Sequence, residues 1–492
     1  MKKIAKIWIV SCLALLSVSG CNKDEGNYNY ISEDELISVQ IGSLQELSVK
    51  ANSLLTVTPQ LNNADDSRYS YMWYTISEDY PYKKDTLSIE RNLSVNCNLE
   101  VGDYKLYFEV KDVALDIYKN VTTSLMVTAS DINKGWYVMK YINGNTDLDY
   151  FGLSGENRNN VLTDVLGSSA LIGKPVGMVY LSKSYNHEKK NSDGTTTMLY
   201  SQSVYQIVSN KDMITLNAND MSVFKTLDNE FYEKPSETNF QYIAIDNYDT
   251  TSLVNGNEVH FLGTAIGKWG YQSVGDFDFF PFIFTSWFDT YLYDRKNNLF
   301  YNPVNSSYCY PYGMDQDEFT SFDDKEILNL LQRSSIASYT SSVYGLFRGN
   351  KDGKYYISEL EFWFSIYMNN PIFYELSSTD DLPSADVMTA PLGPSVIYYA
   401  TGHLLKIHKV NLDVEETVKT FGSDEKITYI KNIKGTESNG TSFNDLFVAT
   451  NSANGYKIYR FPLIGSSGEI DTSSSAVMTG TGEAYFILFR NE

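Results

Sequence analysis

Val343-Tyr-Gly-Leu-Phe-Arg-Gly-Asn-Lys-Asp-Gly-Lys-Tyr-Tyr-Ile357 reads as two β-strands joined by a polar, glycine-bearing turn. β-Branched and aromatic residues suit a pleated, half-buried surface, and an Asp-Gly step between two such runs reverses the chain. The same theme recurs from Gly135-Trp-Tyr-Val-Met-Lys140 to the C-terminus, as in Asn451-Ser-Ala-Asn-Gly-Tyr-Lys-Ile-Tyr459. Comparable strands begin at Val204, Ile243, Tyr291, Val343, Val396 and Leu446, separated by 39, 48, 52, 53 and 50 residues. A four-stranded propeller blade takes about 40–50 residues, and radial repetition spares a chain of many short strands any long open edge. The expectation is an all-β protein in which residues 135–492 form a β-propeller of about seven blades. Six blades come from these starts, and one is shared between the strand at Trp136 and the last strand, Ala484-Tyr-Phe-Ile-Leu-Phe489. Because the repeat is imperfect and residues 147–200 are irregular, six or eight blades also fit, and two further β-sandwiches are the alternative architecture. One helix is expected, at Asp323-Asp-Lys-Glu-Ile-Leu-Asn-Leu-Leu-Gln-Arg333, from its acid-rich start and apolar spacing.

Ahead of this region, residues 35–130 carry Leu54–Thr58, Tyr69–Thr75, Tyr104–Val110 and Thr123–Thr128, short runs rich in β-formers with polar or glycine turns between them. That spacing predicts a β-sandwich, with Trp73 buried on a central strand and Tyr104 at the start of a late one. The chain's 492 residues exceed what one core usually organises. With Asp+Glu 61 against Lys+Arg 39 the net charge is -22, which repels a phosphate backbone and excludes nucleic acid as a partner.

Lys2, Lys3 and Lys6 precede the apolar run Ile7–Val18, which ends in Ser19-Gly20-Cys21. The run is too short for a membrane span, so residues 1–20 are expected to be a signal peptide and Cys21 the lipidated N-terminus of the mature chain. Residues 21–34 then form a linker that opens with Asn22-Lys23-Asp24-Glu25. Cys97 and Cys309 fall in different domains and are expected as buried small hydrophobes, not as a disulfide.

Cys21-Asn-Lys-Asp-Glu-Gly-Asn-Tyr28, the Tyr71-Met-Trp73 strand and Gly102-Asp-Tyr-Lys-Leu-Tyr-Phe-Glu-Val-Lys-Asp112 together resemble the PKD-like surface lipoproteins of Bacteroidetes over about the first 130 residues. Lys23, Asp24 and Glu25 resemble the export signal that carries such lipoproteins to the outer leaflet of the outer membrane. The resemblance implies an accessory component of a TonB-dependent uptake system. Its partners would be the transporter, the transporter's lid lipoprotein, and an oligopeptide or glycan ligand.

Signals for catalysis are sparse. Of four histidines, His187 lies in a charged stretch expected to be solvated, and His403 and His408 are expected on opposite faces of a strand, which disfavours a zinc pair. Acidic pairs occur at Asp147 and Asp149, at Asp276 and Asp278, and at Asp315-Gln-Asp317-Glu318. They could serve a glycan or peptide hydrolase, the competing function, or offer oxygen ligands to Ca²⁺, although no EF-type loop supports that ion. No catalytic residue is assigned. The most suggestive stretch is Trp269-Gly-Tyr-Gln-Ser-Val-Gly-Asp-Phe-Asp-Phe-Phe-Pro-Phe-Ile-Phe-Thr-Ser-Trp-Phe288, followed by Tyr308-Cys-Tyr-Pro-Tyr312. Phe277 to Phe284 read as blade core. Trp269, Tyr271, Trp287, Tyr308, Tyr310 and Tyr312 are the candidate contact residues, because aromatic side chains offer large, rigid area to a ligand or partner.

Overall fold

A computed structural model describes residues 40–491, except 52, 63–66, 78–83, 98, 100, 129–133, 154, 168–169, 191–194, 271–272, 274, 288, 305, 313–321, 336–337, 364–365 and 438. The signal segment, Cys21, Lys23, Asp24, Glu25, Tyr271 and the acidic group at Asp315–Glu318 lie outside the described residues.

The N-terminal unit is a sandwich. One sheet runs in the order Leu47–Lys50, Ile117–Thr128, Gly102–Asp112, Tyr69–Ser77, Lys84–Ser88, and faces the ladder formed by Leu54–Val57 and Leu93–Asn96. Along Gly102–Asp112 buried and accessible positions alternate, so Leu106, Phe108 and Val110 point into the core while their neighbours face out. Trp73 is fully buried there, 4.4 Å from the Phe108 ring, and its indole N–H donates to Arg91 O.

From Gly135 onward the strands form seven sheets. Blade two is the antiparallel run Pro175–Lys190, Thr196–Ser209, Met213–Asn217, Val223–Thr226, and blade three is Phe240–Ile245, Thr251–Asn255, Glu258–Gly263, Lys268–Gly270. Blade four is Phe284–Thr285, Thr290–Asp294, Leu299–Asn302, Ser307–Tyr308. Blade five builds on Lys325–Gln332, Ser341–Gly349 and Tyr355–Trp363, blade six on Val387–Thr389, Val396–Thr401, Leu404–Lys409 and Val414–Thr420, and blade seven on Lys426–Thr436, Ser442–Ser452 and Gly455–Ile464. The inner strand of each blade touches the next blade in order, that of blade four meeting Ser341–Gly349 of blade five, and that of blade seven meets the C-terminal strand Glu483–Arg490, which in turn meets blade two. The ring therefore closes at seven blades.

Closure is made by blade one, where Gly135–Ile142 pairs with Asn145–Gly152 on one side and with Glu483–Arg490 on the other. Buried polar groups clamp this junction. Lys140 Nζ lies 2.6 Å from Asp149 Oδ1 with both side chains inaccessible, and Tyr456 of blade seven donates to Asp149 Oδ2 at 2.7 Å. The Arg490 guanidinium donates to Tyr205 Oη and Ala218 O of blade two, and Tyr205 donates to Tyr137 Oη at 2.6 Å.

Two local expectations are overturned. Residues 325–332 form the inner strand of blade five, not a helix. A bulge between Ile327 and Asn329 shifts the pleat, so Ile327 and Leu330 both pack toward blade four while Leu331 is buried on the opposite face, toward blade six. The bulged strand thus imitates the i, i+3, i+4 spacing of a helix. His187 is not solvated. The hairpin Pro175–Lys190/Thr196–Ser209 is long enough to bring it against Phe224, where the rings stack at 4.1 Å and 4°. Cys97 and Cys309 are buried and are not joined in a disulfide.

Candidate functional site

In blades three, four and five a short connection joins the first strand to the second. These three connections bring Tyr248, Trp287 and Tyr339 together. In blade three the buried Asp246 forms an Asx turn, its Oδ1 accepting from Tyr248 N at 2.7 Å and Thr250 N at 2.9 Å, which fixes the backbone beneath Tyr248. In blade four Ser286 N donates to Asp289 O, and the buried Asp289 is held by Asn302 Nδ2 at 2.9 Å. Blade five is tied to blade four by Trp287 N donating to Ser338 O at 2.8 Å and by Gln332 Nε2 donating to Thr285 O at 2.8 Å.

On this base the Trp287 and Tyr339 rings stack at 5.1 Å and 11°. Tyr248 meets Trp287 edge-on at 81°, and the indole N–H donates to its hydroxyl at 2.7 Å. Tyr248 is 58% and Tyr339 70% exposed, so an aromatic platform, a Trp287–Tyr339 stack with Tyr248 set across it, faces outward. Large apolar side chains in this state are contact surface rather than core.

The six sequence-predicted contact residues do not form one surface. Trp269 is a correction: it is fully buried between blades two and three, with its indole N–H toward Gln206 Oε1 at 3.4 Å. Pairing of Lys268–Gly270 with Glu258–Gly263 turns it into the core. Tyr308, on the outer strand of blade four, is half-buried and donates to Asp294 Oδ2 at 2.9 Å; burial, followed by that carboxylate, raises its pKa. Tyr310 and Tyr312 belong to the edge of blade five, where Tyr310–Pro311 runs parallel to Tyr367–Met368. Tyr312 is 64% exposed, edge-on to Tyr367 at 5.4 Å. Of the five that are described, Trp287 alone sits on the platform. Tyr248 and Tyr339 were missed because each is a single tyrosine in a polar loop, and nothing local distinguishes it among 39 tyrosines. Phe279 and Phe284 are core, as expected.

The two acidic pairs among the described residues are engaged in structure. Asp147 accepts from Leu162 N and Thr163 Oγ1 at the start of the short helix Val161–Leu166, and Asp149 takes part in the closure described above. Asp276 and Asp278 pair with Lys296 and Arg295. At the opposite rim a polar cavity of about 420 Å³ lies between blades six, seven and one. Its groups are mutually satisfied: Lys426 pairs with Asp386 at 2.8 Å and holds that carboxyl below its usual range, while Tyr485 donates to Glu483.

Residues 21–175 match the model of the PKD-like family, which takes in the sandwich and the first part of the ring. No curated protein matches the chain. Among solved structures, the chain is similar to the dihydro-heme d1 dehydrogenase NirN in complex with DHE at 7% identity and a TM-score of 0.39, over 73% of this chain and 76% of that one. It is also similar to an extracellular domain assigned to a one-component system of B. thetaiotaomicron, at 12% identity and a TM-score of 0.31, over 63% of this chain and 37% of that one. These likenesses are too distant to add to the ring read from strand pairing. Among the described residues no helix is long and apolar enough to cross a membrane.

Proposed function

We propose that this chain is a lipid-anchored protein of the outer membrane, facing the cell exterior, that holds an oligosaccharide or oligopeptide as an accessory component of TonB-dependent uptake. The observation that carries the reading is the platform of Tyr248, Trp287 and Tyr339. Flat aromatic faces pack against sugar C–H faces and peptide side chains alike. Because loops from three blades brace one another beneath these rings, little ordering remains to oppose binding.

The anchor rests on the charged and apolar N-terminal run before Cys21 and on Lys23, Asp24 and Glu25. Two or more acyl chains on Cys21 would hold the protein stably, since a single chain is marginal. The transporter and its lid lipoprotein as partners rest on the resemblance of the N-terminal region, which the PKD-like match over residues 21–175 supports. No catalytic residue is assigned.

Calorimetric titration of the full-length protein in detergent with oligosaccharide and oligopeptide panels tests the binding role. Saturable binding without products is expected, weakened about 2- to 12-fold by Trp287→Ala or Tyr339→Ala, the loss of one aromatic contact. Unchanged affinity in folded variants removes the platform as the site, and turnover replaces the reading with a surface hydrolase. Palmitate labelling that persists in Cys21→Ala would overturn the anchor, as would failure of the wild type to label.

A further inference from the structure

The connection from blade five to blade six, residues 376–386, passes over the hairpin turn that joins Leu404–Lys409 to Val414–Thr420. At the crossing, one donor atom each from Asp380, His408 and Asp413 lies within 4.8 Å of the other two. His408 sits on the strand with its side chain 1% exposed. Its Nδ1 has no hydrogen-bond partner among the described residues. Nδ1 faces Glu415 Oε1 and Nε2 faces Asp413 Oδ1, each at 3.9 Å, beyond hydrogen-bond range. A buried imidazole between carboxylates that it does not reach is a group set for a partner that is not a side chain.

The surroundings leave room for positive charge. Lys406 is taken by Asp381 and Lys409 by Glu416, so among the described residues Asp380, Asp413 and Glu415 have no lysine of their own beside the imidazole. Glu415 is itself immobilised, accepting from Asp381 N at 2.9 Å and Leu382 N at 3.0 Å. Asp380 is oriented by Ser377 N, which donates to its Oδ2 at 3.1 Å. Glu415 stands on the Nδ1 side of the ring, so Nε2, on the Asp413 side, is the nitrogen turned toward the site.

We infer that Asp380, His408 and Asp413 form a binding site for a divalent transition-metal ion, with zinc as the best fit. One imidazole and two carboxylates suit zinc, whereas calcium takes oxygen ligands. Donors on tetrahedral zinc stand about 3.4 Å apart, so the site closes by roughly an ångström. Asp413 allows this, being half exposed on a turn at φ +53°. Three protein ligands leave a fourth position for water or a ligand. The ion pins the inter-blade connection to blade six.

The test is calorimetric titration of Zn²⁺ into the full-length protein after chelator dialysis, with melting followed in parallel. One equivalent should bind, and Zn²⁺ in excess of its dissociation constant should raise Tm by several degrees. Asp413→Asn keeps a residue that tolerates positive φ, so it should melt like the metal-free wild type. It should bind zinc at least about tenfold more weakly and lose the Tm increment, as should Asp380→Asn. No binding by the wild type at about 100 µM Zn²⁺, or equal binding by both variants, would overturn the site.

Discussion

The sandwich and the ring are both built from antiparallel strands, yet they bury them differently. In the sandwich, Gly102–Asp112 alternates between buried and accessible positions because only one face of its sheet meets a core. In the ring, Met213–Asn217, Thr251–Asn255, Thr290–Asp294 and Leu299–Asn302 are buried at every position, because each blade is covered by a neighbour on either face. Burial on both faces forces polar side chains inside. Lys140, Asp149, Glu230 and Arg490 are all buried in the ring, whereas the buried Asp112 of the sandwich reaches a half-exposed Arg68. A ring therefore has to neutralise its interior charges with one another, while a sandwich can leave one partner in water.

The largest break of that contrast is expected at the closure. Asp149→Ala strands the Lys140 ammonium in the dry interior and should cost about 3–5 kcal/mol in urea unfolding. Replacing both Lys140 and Asp149 with apolar residues of similar volume should recover most of the loss, since breaking a buried pair costs more than removing it. Full destabilisation in the double variant would refute this account.

The two tryptophans of the aromatic stretch sharpen the contrast next. Trp269→Ala empties a core position and should cost about 3–5 kcal/mol, whereas Trp287→Ala at the rim should cost no more than about 1 kcal/mol. Equal melting shifts would contradict the assignment of one to the core and the other to the platform.

Smaller effects separate the two units by pH. Burial pushes the Glu230 carboxyl up to about 7 despite Thr215 Oγ1 and nearby Lys225, which burial pushes down to about 8. The folded state holds a proton there that the unfolded chain releases near 4.5. Its contribution is therefore complete below that value and is lost as pH rises through about 7. Asp112 has the opposite sign. Hydrogen bonding from Arg68 lowers its pKa, so its contribution is present above the ordinary value of 3.8 and disappears as pH falls through the depressed one. Unfolding measured across pH should lose its neutral-side slope in Glu230→Gln and part of its acid-side slope in Asp112→Asn. Unchanged profiles would contradict these assignments.

Much of the ring was legible because each strand start chosen from the chain falls in a different blade: Val204, Tyr291, Val343, Val396 and Leu446 on second strands, and Ile243 on a first strand. Closure by Trp136 and Ala484–Phe489 was legible too, since both are apolar strands and they stand at the two ends of the repeating region. Residues 325–332 misled because a bulge disguised a strand, and Trp269 misled because neighbouring glycines resemble a loop. Of the platform, only Trp287 stood out, as a large aromatic at the end of a run.

Local residue chemistry was enough to specify strands, turns and the order of blades, because pleat and turn preferences act over a few neighbours. Which aromatics meet at the rim and which acids are absorbed by closure were set by the packing of the blades, and Asp380 comes to face His408 and Asp413 only where the inter-blade connection crosses their hairpin. Those groups lie on different blades or cross-over segments, and no sequence period encodes the distances among them until the chain has folded.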